Sequence, residues 1–374
     1  MSGKWWAVAI GKASEAMMAG AGDALGDALE RGLVVRKKGM HYRPWRAPSK
    51  IETFDAAHPV PDETSLEAGR RVRRFLEHAP NAARVLVLIS GGASSLVEEL
   101  PDTVSLAQWQ RLNRWLLGSG LEIHSVNAIR RRVSRLKGGG LGRFLAGRSV
   151  VALLMSDVAD DDPGAIGSGL LSSSNAVAPI ETLPDWARTL VEGAVTAAPA
   201  GASPAALIQH VIANNTTAMS AALSRAAGLG LDARPGTLRL AGEAEAAGRR
   251  LIRAVQRAGL GVTVWGGETT VTLGAATGRG GRNQHLALAA AIALDGTRGL
   301  SLLAAGTDGD DGSSVFAGAV VDGDTVARGR AQGHDPVQCL VDFDSERFLR
   351  AAGATIATGA TGTNVGDLAI GMRA

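Results

Sequence analysis

The sequence predicts an α/β protein: a Rossmann-like, doubly wound parallel sheet domain followed by a second, smaller α/β domain. Two observations carry this. Short continuous apolar runs, at Trp5 to Ile10, Val85 to Ile89 and Val150 to Met155, alternate with longer amphipathic stretches. That is the pattern of strands buried on both faces and separated by helices. Each run also stops at a turn-forming loop, Gly11-Lys12-Ala13, Ser90-Gly91-Gly92 and Ser156-Asp157 respectively, as strand-to-helix connections of such sheets do.

The chain has 374 residues, enough for two domains of roughly 100–200 residues each. With 45% hydrophobic and 20% charged residues, its composition is globular. Trp5 to Ile10 reads as the first strand and Ser14 to Leu29 as its helix. The segment from Ile180 to Ser203 is rich in alanine and proline and reads as a surface helix running into a linker. The expected division is therefore an N-terminal domain over 1–203 and a C-terminal domain over 204–374. In the second half, Val211 to Ala213, Gly261 to Trp265, Thr269 to Leu273 and Leu300 to Ala305 read as strands. Helices are expected over Thr217 to Ala227, Ala241 to Ala258 and Asn283 to Leu294.

Several classes are excluded. Cys339 is the single cysteine, so no intramolecular disulfide can form, and a reducing compartment fits. The longest apolar stretch, Leu286 to Leu294, is far short of the roughly 18 residues a membrane span needs, and the N-terminus lacks a signal-peptide pattern. A cytoplasmic, membrane-free protein is expected. The net charge of +3 is modest. The arginine clusters at 70–74 and 130–132 lie in helical patterns, where solvated faces explain them. One tyrosine and six phenylalanines offer little for stacking on bases, and no nucleic-acid partner is expected. No His/Cys group has zinc-ligand spacing, and no Gly-x-Ser-x-Gly elbow is present.

The chemistry lies in the loops. Gly164 to Gly169, Gly266-Gly267-Glu268, Gly278 to Gln284 and Gly306 to Gly312 join the three already named. Ligands of open α/β sheets sit outside the carboxyl ends of the strands. There, glycines let backbone N–H groups approach a phosphate, and helix N-termini supply unpaired donors. The helix dipole disfavours a cation at a helix start, so Lys12 and Arg282 point to an anionic partner. Aspartates at strand ends suit Mg²⁺ or turn formation alike, which applies to Asp157 and Asp308. Lys137, ahead of three glycines, also suits a helix C-terminus. Gly11-Lys12 lacks the spacing of a P-loop, and Gly20-Ala21-Gly22 is not a dinucleotide fingerprint. The residues thus describe a phosphoryl-handling site without either standard nucleotide motif.

The strings AIGKASEAM, AHPVPDETS, LISGGASSL, HSVNAIRRRVSRLKGGGL, MSDVADDDPGAIGSG, GGETTVTL, GRGGRNQHLALAAA, AAGTDGDDG and TGATGTNVGDL occur in one order between Val8 and Asp367. Together they resemble the class II glycerate kinases, the DUF4147/MOFRL family. The resemblance implies phosphorylation of D-glycerate by ATP with Mg²⁺, most often to 2-phosphoglycerate, in a cleft between the two domains. It marks Lys12 and Arg282 as active-site residues, with Asp157 the third catalytic candidate. Ser90, Gly91, Gly92, Ser94, Ser95, Lys137, Glu268, Asn283 and Asn364 are the substrate- and nucleotide-binding candidates, and Asp308 is the metal candidate. The expected partners are glycerate and ATP, with homodimerisation left open.

Three features depart from the family pattern. The family carries a helical segment ahead of the GKA strand, whereas this chain begins almost at that strand: either the start is truncated or the covering helix is missing, which would expose a sheet face. The loop from Asp308 to Val315 lacks a later aspartate of the family's DGIDGPTD string. Leu170 stands where the family has proline. Two alternatives therefore stay beside the kinase: a hydroxypyruvate reductase, and a catalytically impaired relative that binds a sugar acid or nucleotide.

Overall fold

The computed structural model describes all residues except 1–2, 43–44, 173–176, 195–203 and 274–277. They form two compact units, the first comprising 1–212 with 362–364 and the second 213–361 with 365–374.

The first unit is built on a six-stranded sheet of order β3-β2-β1-β4-β5-β6. Its strands are β1 (Trp5–Ile10), β2 (Leu29–Lys37), β3 (Ile51–Ala56), β4 (Arg84–Ile89), β5 (Ser149–Met155) and β6 (Ala206–Ala213). Strands β1 to β5 are mutually parallel. The order reverses between β1 and β4, which is where doubly wound sheets open a crevice for ligand. Helices α1 (Ser14–Leu25) and α2 (Glu63–His78) follow β1 and β3, and the short α3 (Ala93–Leu96) follows β4. Helices α4 (Leu106–Gly118), α5 (Ile123–Val133) and α6 (Asp185–Gly193) form a separate apolar cluster around Trp109 and Leu112.

Alternation along each strand explains the layering. In β4, Val85, Val87 and Ile89 pack with Val72 and Leu76 of α2, while Leu86 and Leu88 face Met17 and Met18 of α1. Burying one such aliphatic side chain contributes roughly 1.5–3 kcal/mol, so a charge at Val87 would remove the sheet's central contact. A capping box at Asp62 and Ser65 starts α2 and is worth about 1 kcal/mol. On the α1 side, Val151, Leu153 and Met155 are only partly buried, and Ile208 and Ile212 of β6 are about half exposed, at 52% and 50%.

The second unit has a mixed sheet of order β11-β10-β9-β12-β8-β7. Its strands are β7 (Ala233–Pro235), β8 (Gly261–Gly267), β9 (Leu300–Gly306), β10 (Gly318–Asp322), β11 (Thr355–Ile356) and β12 (Asp367–Arg373). Strand β12 runs antiparallel between β8 and β9. Helices α7 (Asn215–Gly228), α8 (Ala244–Arg257) and α9 (Arg282–Leu294) are followed by the shorter α10 (Thr325–Ala331), α11 (Pro336–Val341) and α12 (Ser345–Ala351). Helix α9 is apolar almost all round and forms the centre of this core with α8, as a helix buried on every side must be.

Three expectations differ from these elements. The strand foreseen at 211–213 is the end of β6 at the edge of the first sheet, so the units divide after Ile212 and not at 203. The linker end of the segment foreseen over 180–203 lies outside the described residues, which exclude 195–203. The strand foreseen over 269–273 is reduced to one bridge, Thr270 to Glu243. There the chain has left the sheet to pair irregularly with 240–242, through Glu268 N–H to Leu240 and Thr270 N–H to Gly242.

Candidate active site

The loops after β1, β4 and β5 stand side by side at the carboxyl edge of the first sheet. The Lys12 N–H donates to the Gly91 carbonyl at 3.0 Å, and the Ala13 N–H donates to Ser90 Oγ at 3.0 Å. These bonds tie the Gly11-Lys12 turn to the Ser90-Gly91-Gly92 turn across the switch point. The Ser90 side chain is fully buried and spent on that tie. Ser94 Oγ lies 2.7 Å from Ser168 Oγ, which donates to Asn127. Ser95 Oγ donates to the Pro59 carbonyl at 2.8 Å.

Asn364 completes this edge. Its Nδ2 donates to Asp157 Oδ2 at 3.1 Å, and its backbone N–H reaches Met155 Sδ at 3.3 Å. A Cβ on Gly91 would collide with both Asn364 and Asp157. Glycine is therefore what lets the β4 turn approach these two side chains. The sequence-expected residues Lys12, Ser90, Gly91, Gly92, Asp157 and Asn364 are thus brought together within the first unit.

His58 also belongs there. It follows β3, and a Cβ built on Gly92 (φ +84°) would lie 3.2 Å from its Nε2 and 3.3 Å from Lys12 Cγ. Burial, reinforced by Lys12, Lys37 and Arg130, pushes the imidazole down to about 3. It is therefore neutral at physiological pH.

Lys137 is elsewhere. Its ammonium is sealed from solvent and donates to Glu98 Oε2 at 2.5 Å, both side chains being 0% exposed. Trp109 lies 5.5 Å from the ammonium, in cation–π range. Burial lowers the Lys137 pKa and Glu98 opposes the shift. The structure gives Lys137 a partner inside the fold in place of the substrate contact expected of it. Its neighbour Arg130 is likewise buried, its pKa lowered by burial to about 10, with Nε donating to Asn113.

In the second unit Arg282 is the first residue of α9. Its Nε and Nη2 donate to Asp367 at 2.6 and 3.0 Å, and its Nη1 lies 2.7 Å from Glu268. Burial works against the charge, but Asp367 and Glu268 more than offset it and raise the pKa. The guanidinium keeps its cation while 37% of the side chain remains exposed.

Asp311 was not foreseen. Gly281 gives α9 no side-chain cap. Instead Asp311 Oδ1 accepts the Asn283 N–H at 3.0 Å and Oδ2 the Gln284 N–H at 2.8 Å. The donors expected to meet phosphate are thus already satisfied by a carboxylate. Asn283 is 1% exposed and its Nδ2 also points to Asp311 at 3.3 Å, so it stands behind the site and not on its surface. Burial pushes the Asp311 carboxyl up to about 7, against the pull of the two N–H donors.

Asp308 is nearly buried in the turn after β9 and accepts the Asp310 N–H at 3.2 Å. Among the described residues, no three His, Cys, Asp or Glu side chains stand together as a metal cage. Mg²⁺ needs no such cage, since it is usually held by one or two carboxylates together with substrate phosphates. The donor type at Asp308 fits that arrangement. Among the described residues, no helix is long and apolar enough to cross a membrane.

Known proteins match this chain over nearly its whole length. Residues 1–185 match the domain of unknown function DUF4147, and residues 261–367 match the MOFRL family. A D-glycerate 2-kinase of Thermotoga maritima is 38% identical over 98% of this chain and 89% of its own. The crystal structure of a Thermotoga maritima glycerate kinase superposes with a TM-score of 0.81, at 36% identity, covering 100% of this chain and 92% of the other. A glycerate 2-kinase of Pyrococcus horikoshii is 33% identical over 100% of this chain and 88% of its own. An Agrobacterium vitis relative, 37% identical over 98% of this chain and 86% of its own, carries a provisional hydroxypyruvate reductase name. With matches of this extent on both units, the chain belongs to the class II glycerate kinases.

Proposed function

We propose that the protein transfers a phosphoryl group from ATP to D-glycerate, giving 2-phosphoglycerate. One observation carries the reading: the Lys12 turn and the Gly91-Gly92 turn are hydrogen-bonded together at the switch point of the 3-2-1-4-5-6 sheet, with Asp157 beside them. The kinase names of the Thermotoga and Pyrococcus relatives support the choice of glycerate.

In this reaction the glycerate hydroxyl releases its proton to water, its oxygen bonds to the γ-phosphorus, and the bond from that phosphorus to ADP breaks. Catalysis of this type rests on positioning and charge neutralisation. Lys12 supplies positive charge to the transferring group or to the glycerate carboxylate. The backbone amides from Gly91 to Ser94 hold anionic oxygens at close range. Asp157, oriented by Asn364, polarises the attacking hydroxyl. Arg282, held by Asp367 and Glu268, grips phosphate oxygens. Asp308 would hold Mg²⁺, which when bound neutralises phosphate charge.

A reductase would need a nicotinamide site, and the turn after β1 reads Gly11-Lys12-Ala13 with no dinucleotide fingerprint. The test is a coupled assay of ATP consumption with D-glycerate, followed by NMR identification of the phosphoglycerate formed. The reading expects ADP and 2-phosphoglycerate in equal amounts. NADH oxidation with hydroxypyruvate, and no ADP with glycerate, would replace it by the reductase. Binding of ATP or glycerate without product would replace it by the impaired relative.

A further inference from the structure

We propose that His58 is a substrate contact of the first unit, its imidazole hydrogen-bonding a hydroxyl of the acceptor. The inference rests on the functional reading above and adds a residue to the site it describes.

Strands β1 to β5 point their carboxyl ends the same way. Lys12 follows β1, Lys37 closes β2, His58 follows β3, Gly91 and Gly92 follow β4, and Asp157 follows β5. The ring comes to the switch point because Ser95 Oγ holds the Pro59 carbonyl at 2.8 Å. Helix α2 fixes the other end, where Thr64 Oγ1 accepts the Ala57 N–H at 3.0 Å. The result is a ring edge, Cδ2 and Nε2, 3.2 Å from the position a Gly92 Cβ would take, with Lys12 Cγ 3.3 Å from the same point. Glycine at 92 therefore leaves open the space that His58 and Lys12 both border.

The chemistry suits division of labour. Lys12 and Lys37 are cations and match a carboxylate or phosphate. A neutral imidazole has one N–H donor and one nitrogen acceptor, the pair a hydroxyl needs. Burial among three cations keeps the ring neutral, so it does not compete with them for the anionic group. No side-chain hydrogen bond to either ring nitrogen occurs among the described residues. A site that hydrogen-bonds a substrate hydroxyl discriminates strongly, because losing that partner strands a buried polar group.

The test uses the full chain and initial rates with D-glycerate and ATP varied in turn. His58→Ala is expected to raise the KM for D-glycerate at least about tenfold, with the KM for ATP within about twofold of wild type. His58→Gln, whose amide can reach the place of Nε2, should recover a large part of the glycerate KM. Thermal melts report whether each variant folds; if His58→Ala does not, His58→Gln decides, with wild-type stability and a selective rise in glycerate KM supporting the proposal. An unchanged glycerate KM in a folded variant, or an equal rise in both KM values, overturns it. A wild-type enzyme inactive on D-glycerate would instead overturn the functional reading, and this inference with it.

Discussion

Asp367 grips Arg282 with both carboxylate oxygens, at 2.6 and 3.0 Å, across 85 residues of sequence. The carboxylate is 1% exposed, whereas the arginine is 37% exposed. A buried anchor thus aims a partly open guanidinium, and planar, two-point pairing fixes its orientation as well as its charge.

Arg282→Lys keeps a cation but loses the fork. Turnover is expected to fall by about 10²–10³-fold, with the thermal midpoint little changed. Asp367→Asn should lower kcat in the same direction, because Arg282 then loses the carboxylate that holds its Nε and Nη2. Steady-state kinetics on both variants check this. Wild-type kcat in Asp367→Asn would show that Arg282 needs no such aiming.

Lys12→Ala should abolish measurable phosphoryl transfer while leaving the circular dichroism spectrum intact, since the Lys12 backbone N–H that ties the two turns survives the substitution. Near-normal rates in both Lys12→Ala and Arg282→Ala would remove the site as described.

Lys137 should behave differently. Lys137→Met removes one side of a buried ion pair, which costs about 3–5 kcal/mol of stability. Adding Glu98→Gln should restore much of the loss. Urea unfolding measures both. If Lys137→Met instead left stability alone and raised a substrate KM, the lysine would be a ligand contact after all.

Asp311 gives a pH signature. Its folded pKa, about 7, lies above its ordinary value of 3.8, so the folded state holds the proton more tightly than the unfolded state. This contribution is fully present below about 3.8 and is lost as pH rises through about 7. The stability deficit of Asp311→Asn relative to wild type should therefore shrink between pH 4 and pH 8. Chemical unfolding at both values checks it, and a deficit that grows with pH would contradict the assignment.

What could be read from sequence was what is local. The apolar runs of β1, β4 and β5 and the glycine turns after them follow from residue order, and Lys12 and Arg282 stand out because cations sit poorly at helix starts. The partners that decide each role were not legible. Glu98 is 39 residues from Lys137, and Asp311 is 28 from Asn283. Nothing in either neighbourhood signals that the lysine is sealed or that α9 is already capped. Strand β10, Gly-Ala-Val-Val-Asp, was missed for a related reason. It is short, and its pairing with β9 is set by tertiary contacts more than by its own pattern.

The return of residues 362–364 to the first unit has a consequence for how the chain is made. Asn364, the side chain that orients Asp157, is translated 207 residues after it, and β12, the strand inserted between β8 and β9, comes later still. Domains usually fold as units during synthesis, the N-terminal one first. Here neither unit is finished until Asn364 and β12 have been made. A growing chain on the ribosome carries an edge of the first site without its asparagine and a second sheet with its middle strand missing. A message cut short between the codons for Ala213 and Asn364 therefore leaves two incomplete units, not one working enzyme domain and one lost.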